Sequence, residues 1–212
     1  MARRTGRTRT DKRSAQRFTL LLRVGKLSCD AGEFLCVLRD VSTDGIKAQL
    51  FHPLPEASAY SVELGGGERF RIEPIWQRGL HAGFRFADGP IDVHRLLAEA
   101  GPFPKRHIRL RLRTPLPAQI EGEGAVHTAL VSDISQHGIL VEVEPGLALG
   151  QEIKVEAHGL PRLHARVRWR RGACYGIVLQ GGFRLDELAR IAARLQLRES
   201  AEPADAALAR TA

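Results

Sequence analysis

Cysteine is scarce in this chain. Cys29, Cys36 and Cys174 are an odd count without CxxC spacing, which excludes a disulfide framework and a four-thiolate zinc site and predicts reduced core or strand residues. No apolar run approaches the ~18 residues of a spanning helix. The N-terminus also lacks the apolar segment and small-residue cleavage site of a secretory signal, so the expectation is a cytoplasmic protein with no membrane span. Catalytic signatures are missing too: there is no HExxH, GxSxG or GxxxxGKS/T, no GxGxxG after a strand, and the eight histidines are scattered. No catalytic residue, metal ligand or cofactor is nominated, and the chain reads as a non-enzyme. Aromatics make up only 6%, which argues against a base-stacking platform for nucleic acid.

What is present is a core and a charge. Of 212 residues 43% are apolar, enough for one large domain or two of about 100 residues. The net charge of +8 points to a polyanionic partner. It is unevenly spread: residues 1–17 hold seven basic residues and one acid, and residues 104–113 hold five basic residues. The remainder sums to −3, so the charge reads as two local anion clamps and not a diffuse basic surface. Only five of the 32 basic residues are Lys, so arginine placement, more than arginine abundance, carries information.

The two halves of the chain repeat. Asp40-Val-Ser-Thr-Asp-Gly45 and Asp133-Ile-Ser-Gln-His-Gly138 share DxSxxG, and Trp76, Arg78, Gly79 and Gly83 recur as Trp169, Arg171, Gly172 and Gly176, all at one offset of 93. Arg13 and Arg17 form an RxxxR upstream of the first Asp, and Arg109 and Arg113 form one upstream of the second. Arg17 precedes Asp40 by 23 residues and Arg113 precedes Asp133 by 20, a difference assigned to one shorter hairpin loop. Two homologous domains in tandem follow.

Within each half, short β-rich runs alternate with Gly, Pro, Asp and Ser. The strands expected are 18–26, 34–40, 45–51, 60–64, 69–76 and 82–86, then 118–121, 125–132, 139–144, 152–157, 163–170 and 175–179. Gly65-Gly-Gly67 reads as a hairpin turn. A helical pattern closes each half, at Ile91–Ala100 after Pro90 and at Leu185–Leu197, where Leu185, Leu188, Ile191, Ala192 and Leu195 form one stripe able to seal a barrel end or pair the domains. The fold class is therefore mostly β: two tandem small antiparallel six-stranded barrels, each followed by a C-terminal helix. The divisions are a basic tail at 1–10, a first domain at 11–100, a linker at 101–108, a second domain at 109–198 and a tail at 199–212.

RxxxR, a gap of about 20 residues, DxSxxG and a later Trp-plus-Gly strand, present twice, resemble the PilZ domain family. The resemblance covers nearly the whole ordered chain and implies this barrel and, in many members, binding of cyclic di-GMP. The residue chemistry agrees with such a ligand, which offers two phosphodiesters and two guanines. Guanidinium groups fork onto phosphate oxygens or guanine O6 and N7 and stack on bases, whereas Lys supplies only charge. The first site comprises Arg13 and Arg17 as clamps, Asp40 matching the N1–H and N2–H donors of guanine, Ser42 adding a hydroxyl, and Gly45 allowing a positive φ and close backbone approach.

The second site comprises Arg109, Arg113, Asp133, Ser135 and Gly138. Alternatives stay open. Both turns can simply close hairpins through Asx-type bonds, and Ile108 to Arg113 alternates as a half-buried strand whose arginines form a fixed solvated face. Trp76 and Trp169 are expected to pack against core or helix and stay outside the site. His137, inside the second turn, reads as solvated. Arg162, Arg166, Arg168, Arg170 and Arg171 read as an exposed face. The leading function is a cyclic di-GMP receptor that changes domain orientation or the binding of a protein partner. The alternatives are a nucleic-acid-binding barrel protein and a degenerate PilZ scaffold that binds only protein.

Overall fold

The structure, a computed structural model, describes residues 18–64, 67–94, 108–144 and 146–198. Arg13 and Arg17, both tails, and all but residue 108 of the linker lie outside the described residues. The first barrel comprises β1 (Phe18–Cys29), β2 (Gly32–Val41), β3 (Gly45–Gln49), β4 (Tyr60–Glu63), β5 (Arg69–Arg78) and β6 (His81–Phe86), closed in the order β1-β2-β3-β6-β5-β4. The second comprises β7 (Arg109–Gly122), β8 (Ala125–Ser135), β9 (Gly138–Val143), β10 (Glu152–Ala157), β11 (Leu163–Arg171) and β12 (Cys174–Leu179), closed in the equivalent order. α1 (Leu185–Arg198) follows it. Of the first expected helix, Val93 and His94 are helical, and 95–100 lie outside the described residues. Among the described residues no helix is long and apolar enough to cross a membrane.

Closure removes free sheet edges and lets alternate side chains fill each interior. The register repeats as the sequence does. Leu27 faces Val62 and Ile120 faces Val155; Ile72 faces Phe86 and Ala165 faces Leu179, each pair displaced by 93. The hairpins at Asp30–Ala31 and Glu123–Gly124 are equally long, so no shorter loop accounts for the uneven RxxxR spacing. The change sits instead in a bulge of the first strands. Thr19 faces Asp40 and Arg23 faces Leu38, while Arg111 faces Asp133 and Leu116 faces Val131, so residues 20–22 become 112–115. Arg109 therefore stands two residues before the partner of Asp133, as Arg17 stands two before Thr19 in sequence, and Arg113 falls inside the bulge.

The barrels share a seam. Phe34-Leu35-Cys36-Val37-Leu38 is buried without alternation because one face of β2 fills the first barrel and the other meets the second. Leu35 joins the second core, and Val24 and Phe51 pack against it. The predicted stripe of α1 contributes Leu188, Ile191 and Ala192 to that core, while Ala193 and Leu197 reach the first. The helix thus both caps the second barrel and pairs it with the first.

Candidate functional site

Each barrel carries a row of residues that face one another from strand to strand. In the first, Thr19 faces Asp40, Asp40 faces Lys47, Lys47 faces Gly83 and Gly83 faces Trp76. In the second the same steps run Arg111, Asp133, Leu140, Gly176, Trp169. A bulge adjoins three members of each row: residues 20–22 or 112–115 beside the first, Arg39 or Ser132 before the Asp, and Ile75 or Arg168 before the Trp. Bulges re-aim side chains, so the ends of the first, second and fifth strands of each barrel turn toward one site.

The tryptophans correct the expectation of core packing. Trp76 is 40% exposed and Trp169 43% exposed. Each lies across the glycine of the neighbouring strand: a Cβ on Gly83 would sit 2.2 Å from Trp76 Nε1, and one on Gly176 would sit 2.0 Å from Trp169 Nε1. The glycine is a shelf that holds the indole flat while its other face meets solvent. In barrel one a cavity of about 170 Å³ opens beside it, lined by Asp40, Ser42, Lys47, Ile75, Trp76 and Arg85 among others.

The carboxylates face cations. Asp40 Oδ2 lies 3.8 Å from Lys47 Nζ. Asp133, only 4% exposed, has Arg109 Nε at 3.6 Å and Arg111 Nε at 3.7 Å from its two oxygens. These distances keep the attraction but are too long for the forked hydrogen bonds of a tight pair. Arg109, Arg111 and Arg113 are exposed and Leu110 and Leu112 buried, so the alternation expected for a fixed strand face is present. Arg111, absent from the sequence-derived set, joins Arg109 beside Asp133.

The serines close the turns. Ser42 Oγ donates to Gly45 O (3.3 Å) and Ser135 Oγ to Gly138 O (2.8 Å), while Gly138 N donates back to Ser135 Oγ (3.1 Å). The glycines need correction, since neither Gly45 nor Gly138 has a positive φ. Their requirement is close approach: a Cβ would meet Phe84 O at 2.2 Å and Ile177 O at 2.6 Å. The two residues between Ser and Gly anchor the chain leading to the helices. Asp44 O and Thr43 O accept from Phe86 N and Ile91 N; His137 O and Gln136 O accept from Leu179 N and Phe183 N. His137 is exposed, as expected.

The arginines along β11, and Arg162 just before it, are exposed as expected, with Arg162 paired to Glu156, Arg166 to Glu152, and Arg170 over the Tyr175 ring. The register bulges were not foreseen, although Pro74 in β5, which cannot donate to a ladder, is a sequence signal for one of them.

Residues 105–197 match the family model of the PilZ domain. Among curated proteins no sequence matches the chain. Solved structures similar to it include the PlzA protein of Borreliella burgdorferi in complex with c-di-GMP, 13% identical, with 80% of this chain and 86% of that one covered at a TM-score of 0.33. YcgR from Escherichia coli in complex with c-di-GMP is 12% identical, with 85% and 86% covered at 0.35. The Bacillus subtilis inhibitor of motility, MotI/DgrA, is 14% identical, with 88% and 100% covered at 0.33.

Proposed function

We propose that the chain is a non-enzymatic cytoplasmic receptor for cyclic di-GMP. Its units are two PilZ domains, residues 11–100 and 109–198, joined by the 101–108 linker between the 1–10 and 199–212 tails. The observation that carries the reading is the repeated row: an Asp beside a cation, a glycine shelf and an open Trp, at one register in both barrels, one of them within the stretch that matches the PilZ domain. Asp40 accepts from a guanine edge, and the exposed indole of Trp76 gives the base a face to stack on. Arg13 and Arg17 enter from the chain ahead of β1 and hold phosphate or base. In the second site Arg109 and Arg113, with Arg111, serve Asp133. Ser42, Gly45, Ser135 and Gly138 hold the turns that aim these groups. Ligand on the second arginine segment biases the orientation of the barrels and hence the surface offered to a protein partner.

Calorimetry with the full chain tests this. Wild type binds cyclic di-GMP; Arg13→Ala with Arg17→Ala loses the first site, and Arg109→Ala with Arg113→Ala reports on the second. No heat at tens of micromolar ligand overturns the receptor reading. The exposed run Arg168-Trp169-Arg170-Arg171 favours a second reading, single-stranded nucleic acid held by cations and a stacking ring. A gel shift that weakens steeply with salt and is not competed by cyclic di-GMP would select it.

A further inference from the structure

The two rows with their bulges differ at four places, Thr19 against Arg111, Arg39 against Ser132, Lys47 against Leu140 and Ile75 against Arg168, and the last two are reciprocal. Barrel one has Lys47 where barrel two has Leu140, next to the Asp; barrel two has Arg168 where barrel one has Ile75, in the bulge before the Trp. Lys47 is outward on β3 with its side chain 38% exposed, and it lines the cavity beside Asp40 and Trp76. Ile75 lines the same cavity and is 60% exposed. A bulge residue has no cross-strand partner and is free to lean over its neighbour. Arg168, at the equivalent bulge, is exposed and makes no ion pair among the described residues. Each row therefore has one apolar and one cationic member at these two places, with the order exchanged.

We propose that Lys47 in the first site and Arg168 in the second are further cations for the bound dinucleotide, Lys47 a third beside Arg13 and Arg17 and Arg168 a fourth beside Arg109, Arg111 and Arg113, taking the same phosphate from opposite sides of the glycine shelf. This rests on the receptor reading above. A bis-phosphodiester whose bases are held by the Asp and Trp still has to place two anionic groups, and Lys47 and Arg168 each stand on a strand that borders the glycine shelf. An apolar residue at the exchanged place then covers the sugar or base edge. Charge from Lys47 is a point charge, whereas Arg168 can fork, so the two sites hold the ligand with different geometry and different affinity.

The test is a charge transplant. In the full chain with the second site silenced by Asp133→Asn, cyclic di-GMP is titrated calorimetrically into the parent, Lys47→Leu, and Lys47→Leu with Ile75→Arg. Loss of one charge-assisted contact weakens binding about tenfold, and the transplanted Arg recovers most of it. Thermal melts of the three proteins verify equal folding, and Lys47→Gln repeats the loss if the Leu variant melts early. Binding by the parent that Lys47→Leu and Lys47→Gln leave unchanged, or a loss that Ile75→Arg does not recover, overturns the third cation and leaves the receptor reading standing. No heat from wild type overturns the receptor reading itself, whereas heat from wild type and none from the parent overturns the third cation of the first site alone.

Discussion

His52 shows how a single side chain ties this fold to solution conditions. It is buried against Phe34, with ring centroids 4.5 Å apart, and its Nδ1 lies 2.7 Å from Pro53 O. To donate there, Nδ1 carries the proton, which leaves Nε2 as a bare acceptor buried without a partner among the described residues. Burial holds the imidazole pKa below its ordinary value of 6.5, the nearby carbonyl opposing only in part. The unfolded chain thus takes up a proton below about pH 6.5 that the folded chain refuses. Stability is intact above that pH and falls as pH drops toward the lower folded pKa. Urea midpoints measured at pH 7.5 and 5.5 should differ in that direction, and His52→Leu should flatten the difference. Cys36 is the second such residue: burial pushes its thiol up to about 12, so it should resist alkylation in the native protein and react once unfolded.

At the scale of elements, the glycine shelves matter most. Gly83→Ala forces Trp76 off β6, because the new Cβ would overlap the indole ring, and the ring must lift into solvent. The chain has two tryptophans, so fluorescence is readable: the variant should show a red-shifted contribution from one of them, with a stability loss of about 1–2 kcal/mol. Much of this level was legible in sequence. Strand positions followed from alternation and turn residues, and the 93-residue offset carried the register. Three things were not legible. β7 runs on through Thr114 and Pro115 to Gly122 because Pro115, which has no N–H to donate, falls in a bulge outside the regular ladder, so the RxxxR segment and the later run are one strand. The Trp side of the site depended on which way a bulge turns the strand, which composition does not record. The turn glycines gave the right residue type for a different reason, a carbonyl on the next strand. The unbroken apolar run Phe34–Leu38 did carry a signal of burial on both faces, and with it the seam between barrels.

For the whole molecule, one buried side chain joins three elements. Gln196 on α1 is 1% exposed; its Nε2 donates to Glu33 O (3.1 Å) and Arg111 O (2.9 Å), and its Oε1 accepts from Arg113 N (2.9 Å). Glu33 Oε2 accepts from Arg111 N (2.7 Å), and Glu33 also pairs with the buried Lys26 (3.2 Å), which reaches Glu63 (3.1 Å). β10 pairs with β7 only over Ala118–Glu121, so these side chains satisfy the edge of β7 that no strand covers. The same stretch bears Arg109, Arg111 and Arg113, so whatever moves the second arginine face also pulls on β2 and α1. Gln196→Ala leaves one donor and two acceptors of the seam unmet, at a cost of about 2–3 kcal/mol. Each barrel has its own core, so the loss should fall on the seam before it reaches the strands. Hydrogen exchange should quicken at the amides of Arg111 and Arg113 while those of β9 and β12 hold. Equal loss of protection throughout both barrels would show instead that the seam and the cores unfold as one unit.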